Sequence, residues 1–443
     1  MAFFEDMKAL GIKPGVEIFA HLIRSAHNSD EPVLEYLLDL MRQEGIWPDT
    51  AVYHELITRR VLRKELEMCI QLLEDMYELH IDPFLETIES VVLLAAQRSN
   101  ARIALQILSS YESNSTRRVG GHIWMNVLNS SAQVLFEEGT VTAWRKVIDD
   151  SGILPDEGTC VAVLNCAARH GLPELAAEVI TQLDIMGVEK QEYHLAPLVE
   201  ALANNGSLRQ ALESLSLIRN AGVPLNKHTS TPIVTLIGDF VERTDDAFNL
   251  LYDIHADGGE VDVAAMNVVI RAAVAQRDLG RAVGIYRAAS DWNVTPNVTT
   301  FNTLLQGCLE AEQSSLHERI LQEMQELNVK ANTDTYETLV RLSLKSDDYE
   351  DAFFYLSQMG QAGFKLSATG YELVIRKCIV NNDPRYELAV AELKEAGYEV
   401  SPSLQTFIDT GGKSDKPPRQ RSSTSVPPLD GARAPRDTRF MDR

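Results

Sequence analysis

Apolar residues recur along this chain at intervals of three and four, in pairs of blocks separated by short polar turns. Tyr53, Leu56 and Ile57 share one face, and Leu66, Ile70, Leu73 and Met76 share another, which is the spacing of an amphipathic α-helix in each block. The turn between the blocks is short, so each pair reads as two antiparallel helices.

The pairs repeat. A turn of related composition recurs as "GIKPG" at Gly11, "GIWPD" at Gly45, "HIDPF" at His80, "GILPD" at Gly152, "GVEKQ" at Gly187 and "GVPLN" at Gly222. It continues as "NVTPN" at Asn293, "NVKAN" at Asn328, "GFKLS" at Gly363 and "GYEVS" at Gly397. Successive copies lie about 34 to 36 residues apart, with double steps between His80 and Gly152 and between Gly222 and Asn293, and such a period marks a solenoid. The first turn position is Gly, Asn or His, residues that tolerate the left-handed conformation ending a helix. A following Pro blocks continuation, and an Asp or Asn after it is placed to cap the next helix, as Asn297 is in "NVTPN".

One position in the second helix is small in most repeats: Cys69, Ala104, Ala176, Ala211, Ala247, Ala282 and Ala352. A small side chain there lets neighbouring helices approach, so these are read as packing positions. His317 stands at the equivalent place, and nothing in the sequence accounts for it. The organisation predicted is a partial repeat over residues 1–15, an array of about eleven repeats over 16–401 and a tail over 402–443. The opening residues match only the end of a repeat, which predicts that a first helix is missing before them. The tail is rich in Pro, Ser, Lys and Arg and is read as disordered, a basic arm on an acidic array.

The formal net charge is −23. A polyanion is repelled by such a surface unless basic residues are segregated, which argues against indiscriminate nucleic-acid binding. No window of eighteen apolar residues suggests a membrane span, and five scattered cysteines suggest neither a disulfide framework nor a metal site. Zinc-hydrolase and deaminase spacings and a glycine-rich phosphate loop are absent from the sequence, so neither a catalytic group nor a metal, cofactor or small-molecule substrate is expected. No targeting segment is visible at the start.

With turn, period and helix pair established, "NVTTFNTLLQGC" and "VTPN" resemble the helix opening and terminal turn of the pentatricopeptide repeat family. The resemblance implies an all-α, right-handed α-solenoid superhelix of helix-turn-helix repeats of about 35 residues. It also implies a non-catalytic, single-stranded-RNA-binding protein of a mitochondrion or chloroplast, acting in RNA stability, processing or translation. Family readout pairs a residue on the inner face of the first helix with the last residue of the same repeat. By register these pairs are Asn126 with Asp156, Thr231 with Asp262, Asn267 with Asn297, and Asn302 with Asn332; the family's correspondence assigns them U, G, a pyrimidine and a pyrimidine. His54 with Phe84, Glu337 with Ser367 and Glu372 with Ser401 depart from the family's strong pairs.

Arg271, Arg341 and Arg376 share one place in the first helix and are candidates to follow a phosphate backbone, the alternative being pairing with nearby carboxylates. "RRVLRK" from Arg59 to Lys64 is the densest basic run of the array and is read first as a solvated corner. The alternative to RNA binding is a scaffold of an organellar complex that grips a protein partner in its groove.

Overall fold

The computed structural model describes residues 13–27, 31–226, 228–238, 240–311 and 316–412, together with 7, 10 and 11. The opening half repeat lies mostly outside the described residues, and the basic tail from 413 lies wholly outside them. Among the described residues there are 23 α-helices and no strand, so the fold is the all-α stack of helical hairpins that the spacing predicts.

The chain divides into two compact units, residues 1–311 and 312–443. In the first, hairpins are formed by α1 (Val16–Ser25) with α2 (Glu31–Gln43), α3 (Thr50–Leu62) with α4 (Leu66–Glu78), and α5 (Leu85–Gln97) with α6 (Ala101–Asn114). They continue with α7 (Gly121–Gln133) and α8 (Glu137–Arg145), α9 (Glu157–His170) and α10 (Pro173–Ile185), and α11 (Glu192–Asn204) and α12 (Leu208–Asn220). Next come α13 (Thr231–Ile237) with α14 (Val241–Ala256), α15 (Val263–Ala275) with α16 (Leu279–Arg287), and the lone α17 (Val298–Glu310). The second unit holds α18 (His317–Glu326), α19 (Thr333–Lys345), α20 (Glu350–Gln361), α21 (Ala368–Val380), α22 (Tyr386–Glu395) and α23 (Pro402–Asp409). The double step between His80 and Gly152 contains one more hairpin, α7 with α8, entered through an extended Ser115 (φ −122°) rather than the usual left-handed turn.

Local chemistry sets the helix ends. Asp49, Asp156, Asn297, Asn332 and Ser367 each accept a hydrogen bond from a backbone N–H of the first turn they precede. At the stop, Asn293 and His80 take φ of 56° and 54°, the left-handed region in which the turn glycines also lie. The turn inside the hairpin carries a glycine at Gly171 and Gly206, yet Lys64, Ser99, Leu135 and Arg277 are left-handed there as well, at φ of 55° to 60°. Each costs about 1 kcal/mol against a glycine.

In the first unit each first helix packs against the next, from α1 through α3 and onward to α17 without a break. In the second unit α19, α21 and α23 do the same. The small residues Cys69, Ala104, Ala176, Ala211, Ala247, Ala282 and Ala352 are all fully buried, and Thr140, also fully buried, stands at the corresponding place in the added hairpin. Side chains also stitch successive hairpins by reaching back to turn carbonyls. Arg98 donates to Lys64 O (2.9 Å), the His170 ring lies 2.8 Å from Leu135 O, and Gln276 donates to Gly238 O (3.1 Å).

The boundary expected at 402 is corrected. Pro402–Asp409 is a helix capped by Ser401, and its Leu404 and Phe407 are buried in the core around α21. Their spacing of three gives the segment an apolar face that covers the last hairpin's exposed side.

Candidate nucleic-acid interface

A three-residue arrangement recurs where one first helix meets the next. In its polar form it joins Asn267 of α15 to Asn297 and Thr300 at the start of α17. Asn267 Nδ2 donates to Asn297 Oδ1 at 3.2 Å, and Thr300 Oγ1 donates to Asn267 Oδ1 at 2.7 Å. Thr300 also closes a capping box with Asn297, so the helix start and the inter-repeat contact are one network. Asn297 Oδ1 already accepts from two N–H groups, so the hydrogen-bonding capacity left to this side chain lies chiefly in its amide nitrogen, a donor.

The same spacings, 30 and 33 residues, recur at His54, Phe84 and Thr87. The rings of His54 and Phe84 meet edge to face with centroids 5.7 Å apart, and His54 Nδ1 lies 2.7 Å from Thr87 Oγ1. In the second unit Ser367 donates to Glu337 Oε1 at 2.7 Å, again across 30 residues. The register inferred from the sequence therefore brings the first and last positions of a repeat together in all three places.

Elsewhere it does not. Asn126 is exposed, and its amide donates to the carbonyl of His122 in its own helix (2.8 Å). The residue linked to the Asp156 cap is Asn129, one turn further on, whose Oδ1 accepts from Thr159 at 3.1 Å. Asp156 accepts from the Thr159 hydroxyl and backbone, which holds its carboxyl below the usual carboxylate range. Thr231 opens the shortened α13 as its first residue instead of sitting inside a first helix. Its assigned partner Asp262 is buried and held by the Arg219 guanidinium through both carboxylate oxygens. This pair is therefore corrected: a buried, ion-paired carboxylate is not presented to a base. Asn302 stands on α17 in the first unit and Asn332 caps α19 in the second, each placed within its own unit.

The arginine row is corrected in two of its three members. Arg341 donates to Glu337 Oε1 and Arg376 to Glu372 Oε1, both at 2.7 Å and one turn apart. Arg376 is buried, with its guanidinium 4.6 Å from the centre of the Phe407 ring. A cation committed to a carboxylate contributes little to holding phosphate, since net charge sets that attraction. Arg271 donates to the Thr231 hydroxyl at 3.4 Å, and burial lowers its pKa. The spacing of four between each Glu and its Arg carried this signal in the sequence.

The "RRVLRK" run is no solvated corner. Arg59 is fully buried, donating to Ala26 O (3.3 Å) and Glu31 Oε2 (3.1 Å), while Arg60 and Arg63 also reach Glu31. Three guanidinium groups on one carboxylate pin the second hairpin to the first. Among the described residues no group of His, Cys, Asp and Glu is placed to hold a metal ion, and no helix is long and apolar enough to cross a membrane.

Comparison with known proteins agrees with this architecture. Residues 157–289 match a family described as pentatricopeptide repeat-containing protein, and residues 2–59 and 319–381 match the pentatricopeptide repeat domain. A chloroplastic pentatricopeptide repeat-containing protein of Arabidopsis thaliana is 24% identical over 212 residues, a match covering 44% of this chain and 27% of that protein. The match thus spans about a quarter of the relative's length. Among solved structures, the pentatricopeptide repeat protein PPR10 in complex with an 18-nt psaJ RNA element is 16% identical with a TM-score of 0.39, covering 92% of this chain and 70% of that one. Yeast Rmd9p in complex with a 16-nt target RNA is 10% identical with a TM-score of 0.40, covering 89% and 85%. With its ten turns in register, its helical hairpins and these family matches, the chain belongs to the pentatricopeptide repeat family.

Proposed function

We propose that this protein binds single-stranded RNA along the first-helix row of its first unit and acts by occupying the strand, without chemistry of its own. The observation that carries the reading is the Asn267–Asn297–Thr300 network. It fixes two amides at the junction of successive first helices, with a donor left for a base edge. Family membership supplies the ligand class. The relative from Arabidopsis thaliana is chloroplastic, and we place this chain in a mitochondrion or chloroplast, serving the stability, processing or translation of a transcript there.

The chain's formal net charge is −23, so binding depends on few phosphate contacts. Base readout is sparse: a pyrimidine at the Asn267 pair, and no guanine selectivity from Asp262, which Arg219 holds. A second reading applies to the second unit. There Glu337 and Glu372 on the first helices are each paired with an arginine one turn later, which leaves those arginines little free charge for a polyanion and favours a protein partner.

Fluorescence anisotropy of the full chain with pooled single-stranded RNA at two salt concentrations tests the proposal. Saturable binding that weakens modestly with salt is expected, with a slope of about two phosphates or fewer. No binding at low salt sinks it and leaves the protein scaffold.

A further inference from the structure

We infer that Phe84 and His54 form a stacking seat for one unpaired RNA base, purine in preference to pyrimidine. The inference rests on the RNA-binding reading and adds a site and a specificity to it.

Three observations meet here. First, His54, Phe84 and Thr87 reproduce the spacing and the contacts of Asn267, Asn297 and Thr300: 30 residues from first to second, 33 from first to third, and a 2.7 Å link to the threonine hydroxyl in both. Whatever the polar triad meets, the aromatic triad is placed to meet one junction type over. Second, Phe84 occupies the N-cap of α5 in the extended conformation that Asn297 uses and makes no side-chain cap hydrogen bond, as Gly15, Gly120 and Ser230 make none before their helices; of these four it is the one that sets an aromatic ring at the junction. Third, Phe84 is 42% exposed, with the His54 ring set against its own edge to face at 5.7 Å and an interplanar angle of 71°. That contact fixes the ring's orientation while leaving much of it open.

An aromatic ring offers no edge hydrogen bond, so it accepts the face of a base in place of its edge. A purine presents the larger face, which gives the preference. The neighbouring junction sharpens the prediction. Glu89 follows on α5, and the next first helix begins at Gly120, which has no side chain to complete a pair. The seat therefore supplies affinity in a stretch that otherwise reads no base.

The test is anisotropy of full-length protein with labelled oligoadenylate and oligouridylate, comparing wild type, F84L, F84W and N267A. Phe84→Leu keeps apolar volume and removes the π face. It is expected to weaken oligoadenylate binding about ten-fold, the size of one base–aromatic stack, and oligouridylate less, with Phe84→Trp retaining or tightening both. Circular dichroism and Tm of F84L matching wild type tie the loss to the site. Unchanged oligoadenylate binding by F84L, or equal losses for both homopolymers, overturns the inference. If wild type binds neither oligomer, the RNA reading itself fails and takes this seat with it. If N267A weakens binding and F84L does not, the seat alone falls.

Discussion

The two units place different chemistry on the same face of the same kind of helix. In the first unit, the inner positions of the first helices carry His54, Glu89, Asn126 and Asn267, and two of these, His54 and Asn267, are fixed across a repeat junction by a threonine. In the second, the corresponding positions carry Glu337 and Glu372, each closed by an arginine one turn later. The scaffold is shared, so the difference lies in side chains that the scaffold itself does not require. A helical-hairpin stack fixes where a ligand would lie; the inner row decides whether that ligand is an RNA or something else.

The units also differ in how arginine fastens one hairpin to the next. Arg59 is fully buried and shares Glu31 with Arg60 and Arg63, whereas the Arg385 side chain is one-third exposed and grips Glu350 and Asp383. Burial should therefore separate two otherwise similar clasps. Arg59→Ala leaves Glu31 without its buried partner and is expected to cost about 3 kcal/mol, seen as an earlier first transition in urea. A loss below about 1 kcal/mol would make the two clasps equivalent.

Asn267→Ala should lower RNA affinity about ten-fold and abolish pyrimidine preference at one position, measured with single-base substitutions in a bound oligomer. The change E337Q should act in the opposite direction. It releases Arg341 from its carboxylate, raising affinity several-fold and steepening the salt slope by about 0.7, one phosphate of a single strand. If both variants move affinity the same way, the contrast between units is wrong.

The smallest effect concerns acid. Hydrogen bonds from Arg385 hold the Asp383 carboxyl down to about 2, and Glu350 is lowered by the same guanidinium. Both pKa values are depressed on folding, so their stabilisation is complete above the unfolded value of about 4 and disappears as pH falls towards about 2. The second unit should thus hold constant stability from pH 7 to 5 and lose it between about 4 and 2. Arg385→Ala should move that acid midpoint upward, followed by far-UV circular dichroism.

Much of the fold was legible because its signals are local. The turn from Asn293 through Asn297 stops one helix and caps the next with atoms that lie within five residues of sequence, and the small position at Ala282 is set by the period alone. The helix at Pro402–Asp409 was missed because its apolar face is short and follows the last turn, where composition shifts toward the tail. The site was half legible. Register placed Asn267 beside Asn297, but it could not show that Arg219, 43 residues away, takes Asp262, or that Asn129 and not Asn126 meets the Asp156 cap. The Glu–Arg pairs at a spacing of four could have been read directly.

By itself, then, the sequence determined the repeat: helix, turn, cap and packing position, each fixed by a dihedral preference or a periodicity that acts over a few residues. Only the tertiary structure decided which polar groups remain available on the first helices. That depends on partners brought in from the preceding or following hairpin, and on burial, which turns a basic run into an internal clasp.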